Sequence, residues 1–169
     1  MDGDAVDTVV IRAALADDVE QIGILWQQLV DYHVLLDDRL PDAVQNGGRR
    51  YARRLYDKLD DEYSRIMVAA SGDRVVGYVV GMVVDLTPDL FEQQTSGFLA
   101  DIFVQPEYRN RGIGKSLVAA LVEWFRGRGV RHYEWHVAAN NAEALAFWRS
   151  LGGESLMIRM RASTGDTTT

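Results

Sequence analysis

Between Val104 and Ser116 the chain reads V-Q-P-E-Y-R-N-R-G-I-G-K-S, and these residue types in this order can hold a phosphate-bearing molecule. Gly112 and Gly114 let another group approach the backbone closely, while Arg109, Arg111 and Lys115 bring cationic charge beside Asn110. An apolar strand, Phe98 to Val104, leads into the turn. A helix leaves it with Ile113, Leu117, Val118, Leu121, Val122 and Phe125 spaced for one face. A glycine turn that opens a helix presents unpaired N–H groups and the positive end of the helix dipole. Chemically this is a pyrophosphate cradle. Titratable side chains lie nearby in sequence. Asp101 stands three residues before Val104, so strand alternation turns it away from Val104 and toward the side of Phe103. There it can accept a proton, or simply pair with an arginine. Glu134 and His136, two apart, share the face of a later strand, and the imidazole titrates near neutral pH.

Spacing decides among the known cradles. A dinucleotide fingerprint needs a third glycine, where Leu117 stands, and a Walker loop needs a glycine where Arg109 stands. Gly114-Lys115-Ser116 is therefore only half of a nucleotide loop. The pattern that fits is R-x-x-G-x-G after a strand ending in V-x-P-x-Y-R, which resembles the acyl-CoA-binding motif of the GNAT superfamily of N-acetyltransferases. A second segment, Val137 to Gly152, is similar to that family's V-x-x-x-N-x-x-A-x-x-F-Y-x-x-x-G. The resemblance covers nearly the whole chain. It implies acetyl-CoA as cosubstrate, held by Ile102, Phe103, Val104, Arg109 to Ser116, Asn141, Phe147 and Trp148. It also implies an oxyanion donor in the backbone around Val104, where an unpaired strand edge takes the pantetheine amides as an added strand would. Asn141 can equally be a helix cap.

The chain departs from the family at Trp148, where a tyrosine usually protonates the departing thiolate. Indole N–H can donate a hydrogen bond but cannot act as a general acid near neutral pH. Gly153 also replaces an aromatic residue. Of the candidate bases, Asp101 ranks above His136. Tyr32, His33 and Asp37 belong to the region that shapes the acceptor pocket in the family. Asp31, Asp37, Asp38 and Asp42 among Tyr32, Leu35, Leu36 and Leu40 suit a cationic amine with a hydrocarbon part, or form a solvated acidic helix end. The implied reaction is direct attack of a primary amine, from a small molecule or peptide, on acetyl-CoA in a ternary complex. A non-catalytic or regulatory acyl-CoA-binding module is the alternative, and a half-Walker nucleotide binder is the third.

The elements that must position these groups alternate without linker or repeat. Strands are expected at Val6–Ala13, Ser64–Ala70, Val75–Val84, Phe98–Val104, His132–Val137 and Glu154–Arg161. Helices are expected from Asp17, as N-cap with Glu20 completing a capping box, to about Leu35. Others should run through Tyr51, Ala52, Leu55 and Leu59, from Ile113 onward, and over Asn141–Leu151. Ser71-Gly72-Asp73-Arg74 signals a hairpin. The order β-α-α-β-β-β-α-β-α-β is that of the GNAT fold: an α/β (α+β) domain over residues 1–169 with a mixed, mostly antiparallel sheet of six to seven strands and about four helices. Residues from about 162 form a polar tail.

Composition agrees. At 169 residues and 47% hydrophobic the chain can bury a core unaided, and without cysteine it has no disulfide, thiolate metal site or cysteine nucleophile. No spacing of His, Asp and Glu suggests a metal site. A net charge of −7 argues against nucleic acid as a partner, and no apolar run approaches the roughly 18 residues of a membrane span. The expected protein is soluble, cytoplasmic and, as in many relatives, a homodimer through its last strand and tail.

Overall fold

The computed structural model describes residues 8–85, 90, 92 and 94–165. Its elements are β1 (Val9–Ala13), α1 (Val19–Leu36), α2 (Gly47–Tyr56), β2 (Ser64–Ser71) and β3 (Arg74–Val84). They continue with β4 (Ser96–Val104), α3 (Ile113–Arg126), β5 (Tyr133–Glu134) and α4 (Ala142–Ser150). The five strands form one sheet in the order β1-β2-β3-β4-β5, antiparallel except for the parallel β4–β5 pair. Gly72, at φ +56°, supplies the left-handed backbone that reverses β2 into β3.

β2 and β3 read as apolar runs because helices cover both faces of the sheet. On one face Met67, Ala69, Val76, Val79 and Leu99 pack with Leu117, Leu121 and Phe125 of α3. On the other, Ile66, Val68, Tyr78, Val80 and Phe103 pack with Ile22, Leu25, Ala52 and Leu55 of α1 and α2. The α1–α2 crossing is set by two glycines. A Cβ on Gly23 would lie 2.4 Å from the Gly48 carbonyl oxygen, and one on Gly48 would lie 2.6 Å from that of Gly23. Only at that separation does α2 come down far enough for Tyr51 to reach the sheet.

Three expectations are corrected. Asp17 does not cap α1. Its neighbour Asp18 accepts the Leu15 N–H at 2.7 Å and two guanidinium N–H groups of Arg12 at 2.6 and 3.0 Å, closing a 3-10 turn over Ala16–Asp18 before α1 begins. The strand expected over His132–Val137 shrinks to Tyr133–Glu134, because pairing with β4 ends at Phe98. Glu154–Arg161 is outside any strand, so the described sheet has five strands rather than six or seven. A strand exists only with a ladder partner, and no strand beside β5 offers one. Leu156, Met157, Ile158 and Met160 are left 78 to 85% exposed, although Arg161 donates to the Arg39 carbonyl at 2.9 Å.

Candidate active site

The parting of β5 from β4 opens the site. Beyond Phe98 no strand among the described residues lies against the outer edge of β4. Gln105 N–H donates to the Val76 carbonyl, 2.9 Å away on the β3 side. Alternation therefore turns the N–H and C=O of Val104 and Ile102 toward the open edge. There the Val104 carbonyl accepts from Arg109 Nε at 3.0 Å. The chain then makes a 3-10 turn at Pro106–Tyr108 and enters α3 through Gly112, left-handed at φ +77°. Asn110 shares that left-handed region at φ +59°. Ser116 N–H returns to the Gly112 carbonyl at 3.0 Å, which leaves the N–H groups of Ile113, Gly114 and Lys115 as the unpaired first turn of the helix.

A cavity of about 510 Å³ joins this turn to the strand edge. Ile102, Phe103, Val104, Arg109, Asn110, Gly112, Ile113, Gly114 and Lys115 line one side. Asn141, Glu143, Phe147, Trp148 and Leu151 line another, and Leu29 and Tyr32 of α1 close the far end. A Cβ on Gly114 would come within 3.4 Å of the Phe147 ring, so this glycine keeps the floor of the cavity open. Arg109 is folded across the cavity, its guanidinium 5.7 Å from the Tyr32 ring centre and 5.5 Å from that of Phe103, and 3.7 Å from the Glu143 carboxylate. Trp148 is buried, with its ring 4.4 Å from Trp135 and 4.9 Å from Phe147.

On the opposite face of the strand a bulge aims the acid. β4 pairs Val80 with Asp101 and Gly81 with Leu99, which leaves Ala100 as the extra residue. Leu99 packs toward α3 and Phe103 toward α1 and α2, so the bulge between them puts Asp101 on the α1–α2 face. There Asp101 Oδ2 accepts the Tyr51 hydroxyl at 2.6 Å. Burial raises the Asp101 carboxyl above its ordinary value, while the Tyr51 hydrogen bond and the nearby His33 pull it back. Burial lowers His33, against the pull of Asp101. Tyr51 is driven far up, by burial first and then by its neighbours Tyr78 and Asp101, so it remains a hydrogen-bond donor.

The sequence model of the Acetyltransferase (GNAT) family matches residues 31–152. The chain belongs to that family. The N-alpha-acetyltransferase RimI of Mycobacterium tuberculosis is 34% identical to this GNAT chain over 156 residues, which cover 92% of the chain and 84% of RimI. The chain spans only 36% and 28% of the length of two other curated relatives that it matches. Among solved structures, a mutant of the BH1408 protein from Bacillus halodurans superposes with TM-score 0.82 at 24% identity, covering 91% of this chain and 98% of that one. Aminoglycoside N-acetyltransferase AAC(6')-Iy in complex with CoA follows the same fold, with TM-score 0.72 at 19% identity over 94% of this chain and 96% of that one.

Of the residues expected to hold acetyl-CoA, all but two line the cavity. Arg111 lies over the Tyr108 ring, 5.2 Å from its centre, and neither Arg111 nor Ser116 lines the cavity. Asn141 caps α4, accepting the Ala144 N–H at 3.0 Å, and also lines the cavity. The acceptor residues scatter more. Tyr32 lines the cavity and His33 approaches Asp101. Asp37 is taken by Arg39, with bonds of 2.6 and 2.8 Å that hold its carboxyl at about 2. His136 is exposed, edge-on to Phe98 at 5.6 Å, and makes no hydrogen bond to Asp101. The acidic cluster is similarly occupied: Asp31 accepts from Gln27, and Asp42 from the Ala43 N–H. A second variable segment in which the sequence would express acceptor choice, Thr87 to Thr95, lies partly outside the described residues.

Sequence reasoning missed Tyr51, Tyr78 and Glu143. The signal for Tyr51 was its hydroxyl: on the apolar face of a helix, a tyrosine needs a buried partner that phenylalanine would not.

Proposed function

We propose that residues 1–169 act as one N-acetyltransferase domain that moves the acetyl group of acetyl-CoA to a primary amine in a ternary complex. The observation that carries this reading is the continuous cavity from the unpaired N–H groups of Ile113, Gly114 and Lys115 to the open edge at Val104. The residues fit the cofactor. Gly112 has nothing within 4 Å of where a Cβ would stand, the first turn of α3 is free to donate, and Lys115 adds charge. Acetyl-CoA supplies, when bound, an activated acyl group and a thiolate that leaves readily. The protein supplies the rest. The helix N-terminus holds the diphosphate, and Val104 N–H on the open edge is available to a carbonyl oxygen that gains charge. Asp101 takes the proton of the amine. Trp148 walls the cavity with its ring, and solvent protonates the thiolate.

Because ionisation of Asp101 is opposed by burial, activity should rise as pH climbs through its raised value, and further as the amine itself loses its proton. A peptide or protein α-amine is the first acceptor class to test, supported by the likeness to RimI. Polyamines and amino sugars follow. Free thiol release from acetyl-CoA across such a panel tests the reading directly, since the protein has no cysteine to react with a thiol dye. Saturable release with one amine class is the expected result. Tight acetyl-CoA binding without turnover on any amine would favour the non-catalytic module, which Trp148 in the tyrosine position suggests.

We also propose a homodimer, supported by the exposed apolar run Leu156, Met157, Ile158 and Met160. Light scattering should give twice 19.0 kDa, falling to one copy in Ile158→Asp. A monomeric parent protein would refute this.

A further inference from the structure

Two phenols lie beneath Asp101 that acetyl transfer, as described, does not use. Tyr78 is wholly buried in the middle of β3, and its hydroxyl meets no hydrogen-bond partner among the described residues. Tyr51 enters from α2, stacked on Trp26 with ring centres 4.9 Å apart and planes 13° from parallel. Its hydroxyl donates to Asp101 Oδ2 at 2.6 Å. The two oxygens of Asp101 are thus unequal. Oδ2 is held, whereas Oδ1 has no hydrogen-bond partner among the described residues. A carboxylate on a short side chain would otherwise turn about its last bond.

We propose that Tyr51 is a positioning residue for acyl transfer, pinning Oδ2 of Asp101 so that Oδ1 is presented to the incoming amine. This rests on Asp101 being the proton acceptor. The titratable groups around the carboxylate are Tyr51 from α2, Tyr78 from β3 and His33 from α1. Both phenols are pushed up by burial and stay neutral, and His33 is pushed down. Tyr51 is therefore the only one hydrogen-bonded to Asp101, and its loss should make the carboxylate harder to ionise. Tyr78 bonds to neither oxygen of Asp101.

The test pairs a pH profile with a direct titration. At saturating acetyl-CoA and with the best acceptor from the panel, Tyr51→Phe should lower kcat/KM for the amine roughly tenfold at pH 7. Its acid limb should move up by roughly one to two pH units, the scale of a hydrogen bond to a charged group. The KM for acetyl-CoA should stay unchanged. Tyr78→Phe should leave the acid limb in place. Carbon-13 titration of the Asp101 carboxyl, which needs no activity, should show the same upward movement in Tyr51→Phe only. A carboxyl that titrates identically in the parent and in a folded Tyr51→Phe would overturn the proposal, as would equal shifts in both variants. Asp101→Asn separates the two claims. If it keeps the parent rate and acid limb, Asp101 is not the base and the proposal fails with it, even where the carbon-13 shift shows Tyr51 holding the carboxylate.

Discussion

The cavity and the polar cluster on the opposite face of β4 are built differently. The cavity, proposed above to take the cofactor, is built of backbone: the N–H groups of Ile113, Gly114 and Lys115, the Val104 edge, and a left-handed Gly112, all within a short stretch of chain. The proposed acceptor side is built of side chains: His33, Tyr51 and Asp101, from three elements far apart in sequence. Backbone recognition needs glycine and a helix start, and it tolerates change elsewhere. Side-chain recognition needs every supporting contact, from the Ala100 bulge to the glycine crossing of α1 and α2. Binding of the common ligand should therefore be robust, while chemistry and acceptor choice should be sensitive to distant packing.

The largest test strikes the backbone side. Gly114→Asp puts a carboxylate into the cavity beside Phe147 and the first turn of α3. It should weaken CoA binding by more than about a hundredfold, read by calorimetry, with circular dichroism unchanged. Unaltered affinity in a folded variant would remove the cradle assignment. On the other side, Asp101→Asn should cut the rate roughly a hundredfold, within the range of general-base catalysis, and leave CoA affinity alone. Its melting temperature should not fall, because the amide still accepts from Tyr51 and no buried charge remains. A retained rate would mean that the acceptor side acts only by binding.

Gly23→Ala sharpens the comparison from a distance. The added methyl group would overlap the Gly48 carbonyl, so α2 must move away and carry Tyr51 with it. We expect a loss of about 1 to 3 kcal/mol in denaturant unfolding. Amine turnover should be reduced while CoA binding is near normal. Equal losses on both sides would show that the two regions are not independent. The smallest effect is expected from Trp148→Phe. The ring sits against Trp135 and Phe147, and phenylalanine keeps most of that contact. Turnover should drop by no more than a few-fold; a loss of a hundredfold would instead make the indole N–H a donor to sulfur.

Strand, turn and helix from Phe98 to Phe125 were legible in sequence because each is specified by neighbours: alternation, then glycine, then a helical apolar face. The hairpin at Gly72-Asp73 and the Asn141 cap were legible for the same reason. Strand-like pattern misled at Glu154–Arg161, since alternation records a capacity to pair but not a partner. It misled again at His136, which shares a short strand's pattern with Glu134 yet lies beyond the last paired residue, against Phe98.

Asp101 was read on the side of Phe103, and it does face that side, although an inserted Ala100 reverses the parity relative to Leu99. Sequence alone determined the strand, glycine turn and helix of the proposed cradle and the order of elements through α4, because these depend on local spacing. Tertiary structure decided which acid is held, by which phenol, and which carboxylates are already occupied by arginine. Those outcomes depend on residues fifty or more positions apart meeting at hydrogen-bond distance, as Tyr51 meets Asp101, and no local pattern encodes such a meeting.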